Sequence, residues 1–308
     1  MSLPLTVIGG YLGAGKTTLL NRMLSGDHGR RLAVIVNDFG AINVDASLIA
    51  DHDGDTIALT NGCVCCSALD GTTEAIARFL RTPEPFDHIV IEASGVAEPG
   101  KVARNTSGFR LPLDGIIVLA DAEQLPDQAA NRYAGRSVLA QLRQADLIVL
   151  NKTDLVPDPK LAETRALIAE QAPDTPVVEA RYADLPAALL FGAHRGDEDW
   201  IAGAARETAQ DHDAAYRSDL REYANPLSVA EMTALADVLT KGAIRAKGHV
   251  WLAEDPQVRY LYQQVGRRWT LTDTGPWPGA SRATRIVSIE LAAEAEARSG
   301  DGAFLSCG

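Results

Sequence analysis

Gly10-Tyr11-Leu12-Gly13-Ala14-Gly15-Lys16-Thr17 is the stretch whose reading decides the fold. It follows the apolar run Leu5-Thr6-Val7-Ile8 and leads into Thr18-Leu19-Leu20-Asn21-Arg22-Met23-Leu24. That order is strand, glycine-rich loop, helix, and it satisfies G-x-x-x-x-G-K-[ST] at every fixed position. Glycines let successive backbone N–H groups turn inward, and the following helix adds the positive end of its dipole; together they cradle phosphate. Lys16 is placed to reach the β- and γ-phosphates and the Thr17 hydroxyl to ligate Mg²⁺. Gly10, Gly13, Ala14, Gly15 and Thr18 complete the nucleotide-facing set.

Outward from this loop, short apolar runs alternate with helical stretches. The runs 31–36, 56–59, 87–91, 113–119, 146–150 and 176–179 read as strands, and 67–81, 136–143 and 160–171 as helices. The pattern predicts an α/β fold of the P-loop NTPase kind, with a mostly parallel sheet flanked by helices. Active loops in such sheets lie beyond the carboxyl ends of the strands. Asn37-Asp38, Glu92-Ala93-Ser94-Gly95 and Asn151-Lys152-Thr153-Asp154 each follow a strand, so topology gathers them beside the phosphate loop.

The pattern changes at 195. Gly196-Asp197-Glu198-Asp199 and Asp211-His212-Asp213 are acidic and polar, and no strand is evident. Beyond them Ser228 stands three residues before Glu231, the spacing of a capping box, and opens a helix-like run to Leu239. Strand-like runs follow at 249–252, 258–265, 268–271 and 284–289. The expected organisation is a nucleotide-binding domain at 1–194, a linker at 195–217 and a smaller C-terminal α+β domain at 218–308.

Asn151-Lys152-Thr153-Asp154 points to the base. A carboxylate at Asp154 accepts from both the N1–H and the exocyclic amine of guanine, a donor pair that adenine lacks. A site built on such bonds discriminates by roughly 10⁴ or more, because the wrong base leaves the carboxylate unanswered. Asn151 joins it in that reading, and the aliphatic stem of Lys152 lies along the ring. A solvated strand-to-helix loop would carry the same four letters. Glu92 stands where a Mg²⁺-linked acid belongs, and Gly95 where a glycine senses the γ-phosphate; hard Mg²⁺ takes carboxylate, water and phosphate oxygens. A strand-end acid capping the next helix is the plainer alternative. Asp38 either orients the attacking water or makes an Asx-turn before Phe39-Gly40.

Cys63-Val64-Cys65-Cys66 is the most specific feature after the phosphate loop. Thiolates select soft or borderline metals such as Zn²⁺, Cu(I) or cobalt. Three from one tight loop fill three corners of a tetrahedron, whereas a structural zinc site takes all four ligands from protein. The local set therefore suggests an open position or a transferable metal; Asp38 or His52 would close it, and buried or redox-active cysteines are the alternative. Four cysteines in 308 residues make no disulfide scaffold. His194 and His212 read as part of a solvated linker, and Cys307 carries no assignment.

Whole-chain properties exclude some partners. The net charge of −12 disfavours nucleic acid and anionic membrane. No apolar run approaches the roughly 18 residues of a membrane helix. Met1-Ser2-Leu3-Pro4 has neither a basic nor a long apolar leader, so the expected compartment is the cytoplasm. No feature of the sequence sets an oligomeric state.

The phosphate loop, Asn37-Asp38-Phe39-Gly40, Gly62-Cys63-Val64-Cys65-Cys66, Glu92-Ala93-Ser94-Gly95 and Asn151-Lys152-Thr153-Asp154 together resemble the CobW family of metallochaperone GTPases, relatives of the nickel-insertion GTPases of urease and hydrogenase. The resemblance continues into Arg245-Ala246-Lys247-Gly248-His249-Val250-Trp251-Leu252, similar to the opening of that family's C-terminal domain. It implies GTP/GDP and Mg²⁺ as cofactors and Zn²⁺ or Co²⁺ on Cys63, Cys65 and Cys66. It also implies catalytic roles around Lys16, Asp38 and Glu92, and metal delivery to a client metalloprotein gated by a slow GTPase. The family usually has Glu at Asp38 and a second acid at Ala41; the shorter Asp38 keeps the charge, and Ala41 removes one ligand. Two rival classes are a metal- or redox-responsive binding protein with little turnover, and an ATP-using kinase.

Overall fold

The computed structural model describes residues 3–26, 28–37, 56–59, 67–109, 111–191, 216–279 and 282–292. The chain divides into two compact units, Ser2–His194 and Arg195–Gly308.

In the first unit, β1 (Leu5–Gly10) leads through the phosphate loop into α1 (Lys16–Ser25), then β2 (Leu32–Asn37) and β3 (Thr56–Leu59). Helix α2 (Ser67–Phe79), β4 (His88–Glu92), α3 (Pro99–Asn105) and β5 (Leu113–Asp121) follow. After them come α4 (Leu125–Ala130), α5 (Gly135–Gln144), β6 (Leu147–Asn151), α6 (Asp158–Gln171), β7 (Val177–Glu179) and α7 (Ala187–Leu190). The described strands form one sheet in the order β3-β2-β4-β1-β5-β6-β7, and every pairing is parallel. β1, β4 and β6 are buried at every residue, as parallel strands covered on both faces must be. One cluster joins Leu5, Ile35, Ile89 and Ile91 to Ile76 and Phe79 of α2. Another joins Val7, Val118, Ile148 and Leu150 to Val138 and Leu142 of α5 and Ile168 of α6. Each large side chain buried this way contributes about 1.5–3 kcal/mol.

The connections from β1 and from β4 leave in opposite directions, one toward β2 and one toward β5. Such a reversal opens a crevice beyond the strands' carboxyl ends, the usual ligand position in open α/β sheets. β5 runs to Asp121, two residues past its expected end, and carries that carboxylate to the same edge. Helices α3, α4 and α7 have no counterpart in the sequence reading. They are short, and Pro99, Pro126 and Pro186 stand at their starts.

The second unit is an antiparallel sheet of described strands in the order β11-β10-β9-β12-β8. Its strands are β8 (Tyr216–Tyr223), β9 (Arg245–Trp251), β10 (Val258–Val265), β11 (Arg268–Pro276) and β12 (Thr284–Leu291). Helix α8 (Val229–Gly242) packs Met232, Leu235, Ala236 and Leu239 against Ala246, Val250, Tyr262 and Ile286. Tyr216 and Arg217, read from sequence as linker, already belong to β8. Its alternation of half-exposed charged residues hid it: Arg217, Asp219, Arg221 and Glu222 occupy a strand with no buried position.

The cap anticipated at Ser228 is present in full. Its hydroxyl accepts from Glu231 N–H, and its own N–H donates to Glu231 Oε2 at 2.7 Å. The bonds from the Ser228 side chain and backbone hold the Glu231 carboxyl below the ordinary carboxylate range. A depressed folded-state value means the cap's ionic part is complete above the unfolded value and is lost as pH falls through the folded one. Ser228→Ala is expected to destabilise this unit by about 1 kcal/mol. Trp251, Trp269 and Trp277 are among its described residues. Denaturant unfolding followed by tryptophan fluorescence reads the change; an unmoved midpoint would show that the cap carries no stability.

Candidate functional site

β1 ends in Gly9-Gly10, and the next backbone is shaped by close neighbours. Gly10 has φ +136, and a Cβ there would stand 2.5 Å from the Leu119 carbonyl oxygen. Gly15 has φ +103, and a Cβ there would collide with Asn151 Nδ2. Only glycine meets both demands at once. Gly15 is also the N-cap of α1: it makes no side-chain cap, and no acid stands in the helix's first turn. The leading amides of Lys16, Thr17 and Thr18 thus meet the condition for anion binding, a positive helix end that no side chain of its own has neutralised.

Lys16, 7% exposed, opens α1. Its Nζ lies 3.9 Å from Oε1 of Glu92, which is 2% exposed. Glu92 closes β4 in register with Ile8 of β1 and Val36 of β2, so strand pairing alone brings it under the loop. The half-buried Thr17 hydroxyl and the Glu92 carboxylate form an all-oxygen donor set, the chemistry that fits Mg²⁺. Gly95 is buried against the loop from the other side: a Cβ on it would lie 2.7 Å from Leu12 Cδ2 and 3.0 Å from Leu12 N.

The base-side motif is assembled by β6. Asn151 is 2% exposed and both ends of its amide are engaged. Nδ2 donates to the Ala14 carbonyl at 3.0 Å, and Oδ1 accepts from Ala183 N–H at 2.8 Å. The sequence reading assigned Asn151 to the base; in the structure its amide also ties the phosphate loop to the segment after β7. Lys152 adopts a left-handed backbone, φ 63, and its Nζ binds Asp121 Oδ2 at 2.7 Å. Asp154 is exposed, in a single 3₁₀ turn, Thr153–Leu155. The far end of this tie is itself constrained. Tyr182 and Ala183 both have positive φ, and Arg22 of α1 ties this turn down through the Tyr182 carbonyl at 2.8 Å and Asp184 Oδ1 at 2.7 Å.

Two residues that the sequence reading passed over belong to this edge. Asp121 is fully buried; besides Lys152 it accepts from the N–H groups of Glu123 and Gln124 at 2.9 and 3.2 Å. A lone acid at the end of an apolar run, ahead of a polar loop, was its only signal. Gln141 on α5 is 1% exposed; its Oε1 accepts from Gly10 N–H at 2.9 Å and its Nε2 donates to the Gly95 carbonyl at 3.0 Å. Nothing local in the sequence marks it.

Asp38, His52, Cys63, Cys65, Cys66, His194, His212 and Cys307 lie outside the described residues. Among the described residues no group of three or more His, Cys, Asp or Glu side chains is arranged to hold a metal, and no helix is long and apolar enough to cross a membrane.

Comparison with known proteins bears on both units. Residues 4–179 match the CobW/HypB/UreG nucleotide-binding domain, and residues 223–299 the cobalamin synthesis protein cobW C-terminal domain. The chain is similar to a zinc chaperone CobW of Sinorhizobium sp, at 33% identity over 94% of this chain and 93% of the relative. It is similar to the zinc chaperone YjiA of Escherichia coli, at 32% identity over 93% of each. A zinc-regulated GTPase metalloprotein activator 1 of Schizosaccharomyces pombe matches at 33% identity over 59% of this chain and 46% of its own length.

Proposed function

The chain belongs to the CobW/HypB/UreG family, and on that footing we propose that it is a GTP-hydrolysing metallochaperone that carries Zn²⁺ or Co²⁺ on Cys63, Cys65 and Cys66 and hands it to a client metalloprotein. The observation that carries the reading is the uncapped start of α1 with Lys16 and Glu92 buried together beneath the loop. A structural turn has no use for an ammonium and a carboxylate buried at a glycine-rich helix start; a triphosphate has use for both.

In this reading the loop amides and Lys16 hold the phosphates, Asp154 accepts from the guanine edge, and the stem of Lys152, anchored by Asp121, flanks the ring. Asn151 keeps the phosphate and base ends of the pocket in step. Asp38 orients the attacking water, and Gly95 meets the γ-phosphate. Thr17 and Glu92 would hold Mg²⁺, which neutralises charge on the β- and γ-phosphate oxygens when bound. The three thiols require a reducing compartment, which suits the cytoplasm. Residues 1–194 carry this chemistry, and the linker expected at 195–217 gives way to the C-terminal domain at Tyr216, where β8 begins.

Coupling requires that cargo affinity differ between nucleotide states, and linkage makes the effect reciprocal. Zn²⁺ and Co²⁺ affinities measured with a non-hydrolysable GTP analogue and with GDP are expected to differ by about 10-fold or more. Equal affinities would remove nucleotide gating. Negligible turnover by the metal-loaded protein, with candidate clients present, would favour the regulated binding protein instead.

A further inference from the structure

We propose that Gln141 is a positioning residue that couples the phosphate loop to the loop between β4 and α3, so that the two respond to nucleotide as one unit. The inference rests on the GTPase reading above and adds to it a residue outside every motif.

Gln141 is buried, and both of its partners are backbone. Gly10 offers an N–H and Gly95 a carbonyl, so the amide has one possible orientation: Oε1 toward Gly10 and Nε2 toward Gly95. The two bonds span 131 and 46 residues of sequence and meet in one rigid planar group. Neighbours on the same helix make the contrast. Ser137 Oγ donates to the Val96 carbonyl at 3.1 Å. Gln144 accepts from Gly100 N–H at 2.9 Å and donates to Glu98 Oε2 at 3.2 Å. Ser137, Gln141 and Gln144 share a helix face, and all three grip the segment from Gly95 to Gly100. Of these, Gln141 is the one whose bonds continue to the phosphate loop.

The mechanical consequence follows from the shared plane. A γ-phosphate that draws in the Gly95 peptide shifts its carbonyl, turns the Gln141 amide and disturbs the bond to Gly10. A loop closed on phosphates presets Gly95 by the same route. Leu12 approaches Gly95 so closely that a Cβ there would lie 3.0 Å from Leu12 N, which leaves little slack for one loop to move without the other.

The test uses the full-length protein with Gln141→Met, Gln141→Asn and Gln144→Met. Affinities for GDP and for a non-hydrolysable GTP analogue are measured, with kcat and KM for GTP. Both Gln141 variants are expected to change the analogue-to-GDP affinity ratio by about 10-fold and to lower kcat at least as much, with KM moving less than about 3-fold. Gln144→Met, which removes another of the same helix's bonds to the same segment, is expected to leave the ratio within about 2-fold. Should Gln141→Met not fold, Gln141→Asn keeps a buried amide too short to span both partners and carries the test. Gln141 variants that bind GDP and retain the wild-type ratio and kcat overturn this inference alone. A wild-type protein that binds no GTP overturns the reading beneath it and the inference together.

Discussion

Lys16→Ala is expected to lower GTP turnover by about 10²–10³-fold while the protein stays folded. The lysine opens α1, is almost wholly enclosed, and lies 3.9 Å from Glu92. A charge held in a dry, fixed position stabilises developing phosphate charge with little reorganisation, whereas a solvated lysine would have to be desolvated and oriented first. The loss belongs mainly to kcat, because the loop amides at the uncapped helix start remain to hold the phosphates. Lys16→Arg is expected to restore little of it, since the guanidinium is a wide planar fork where a compact point charge fits. Steady-state hydrolysis with circular dichroism as the folding control reads both variants. Turnover within about 10-fold of wild type for the alanine variant would place phosphate stabilisation elsewhere than on this side chain.

Asp154→Asn is expected to reduce kcat/KM for GTP by about 10³-fold or more and to create a preference for xanthosine triphosphate. In the proposed reading the carboxylate accepts two hydrogen bonds from guanine. An amide in its place offers one acceptor and one donor, and the donor faces the guanine amine. Xanthine carries a carbonyl where guanine carries that amine, so the same amide then matches both positions. Asp154 is exposed and stands apart from the buried Asn151 strut, so the substitution leaves the loops' internal bonds intact. Competition of GTP and of xanthosine triphosphate against a fluorescent nucleotide settles it. A variant that still prefers GTP over xanthosine triphosphate would show that Asp154 does not read the base.

The two variants test the phosphate side and the base side of the proposed nucleotide site, whose parts are unequally legible in the sequence. The strand, glycine loop and α1 are contiguous, and their chemistry depends on spacing within eight residues, which a sequence displays directly. The Ser228 cap is legible for the same reason, its two partners lying three residues apart. Gln141 is the contrary case. Its role exists only because α5 packs across β1 and the loop after β4, placing one amide between two backbone groups far apart in the chain. Asn151 is intermediate: its position after β6 is legible, but its employment as a strut depends on Ala14 and Ala183 arriving on either side. Asp121 was hidden by the length of β5, which the apolar pattern ends two residues early. Strands β8 and β9 show how charge misleads: Arg245 and Lys247 are buried in β9, so the strand starts four residues before its apolar stretch.

β8 has a colloidal consequence as well. It is the outermost described strand on its side of the C-terminal sheet, and outermost strands offer free backbone groups to any other extended chain. A newcomer pairing there would have to lie along Arg217, Asp219, Arg221 and Glu222, the last already paired with Arg285 at 2.8 Å. Seating a foreign strand beside them strips water from four charges of both signs, while the incoming chain is under no obligation to match their order. The charges that disguise this strand as linker also make it a poor seed for aggregation.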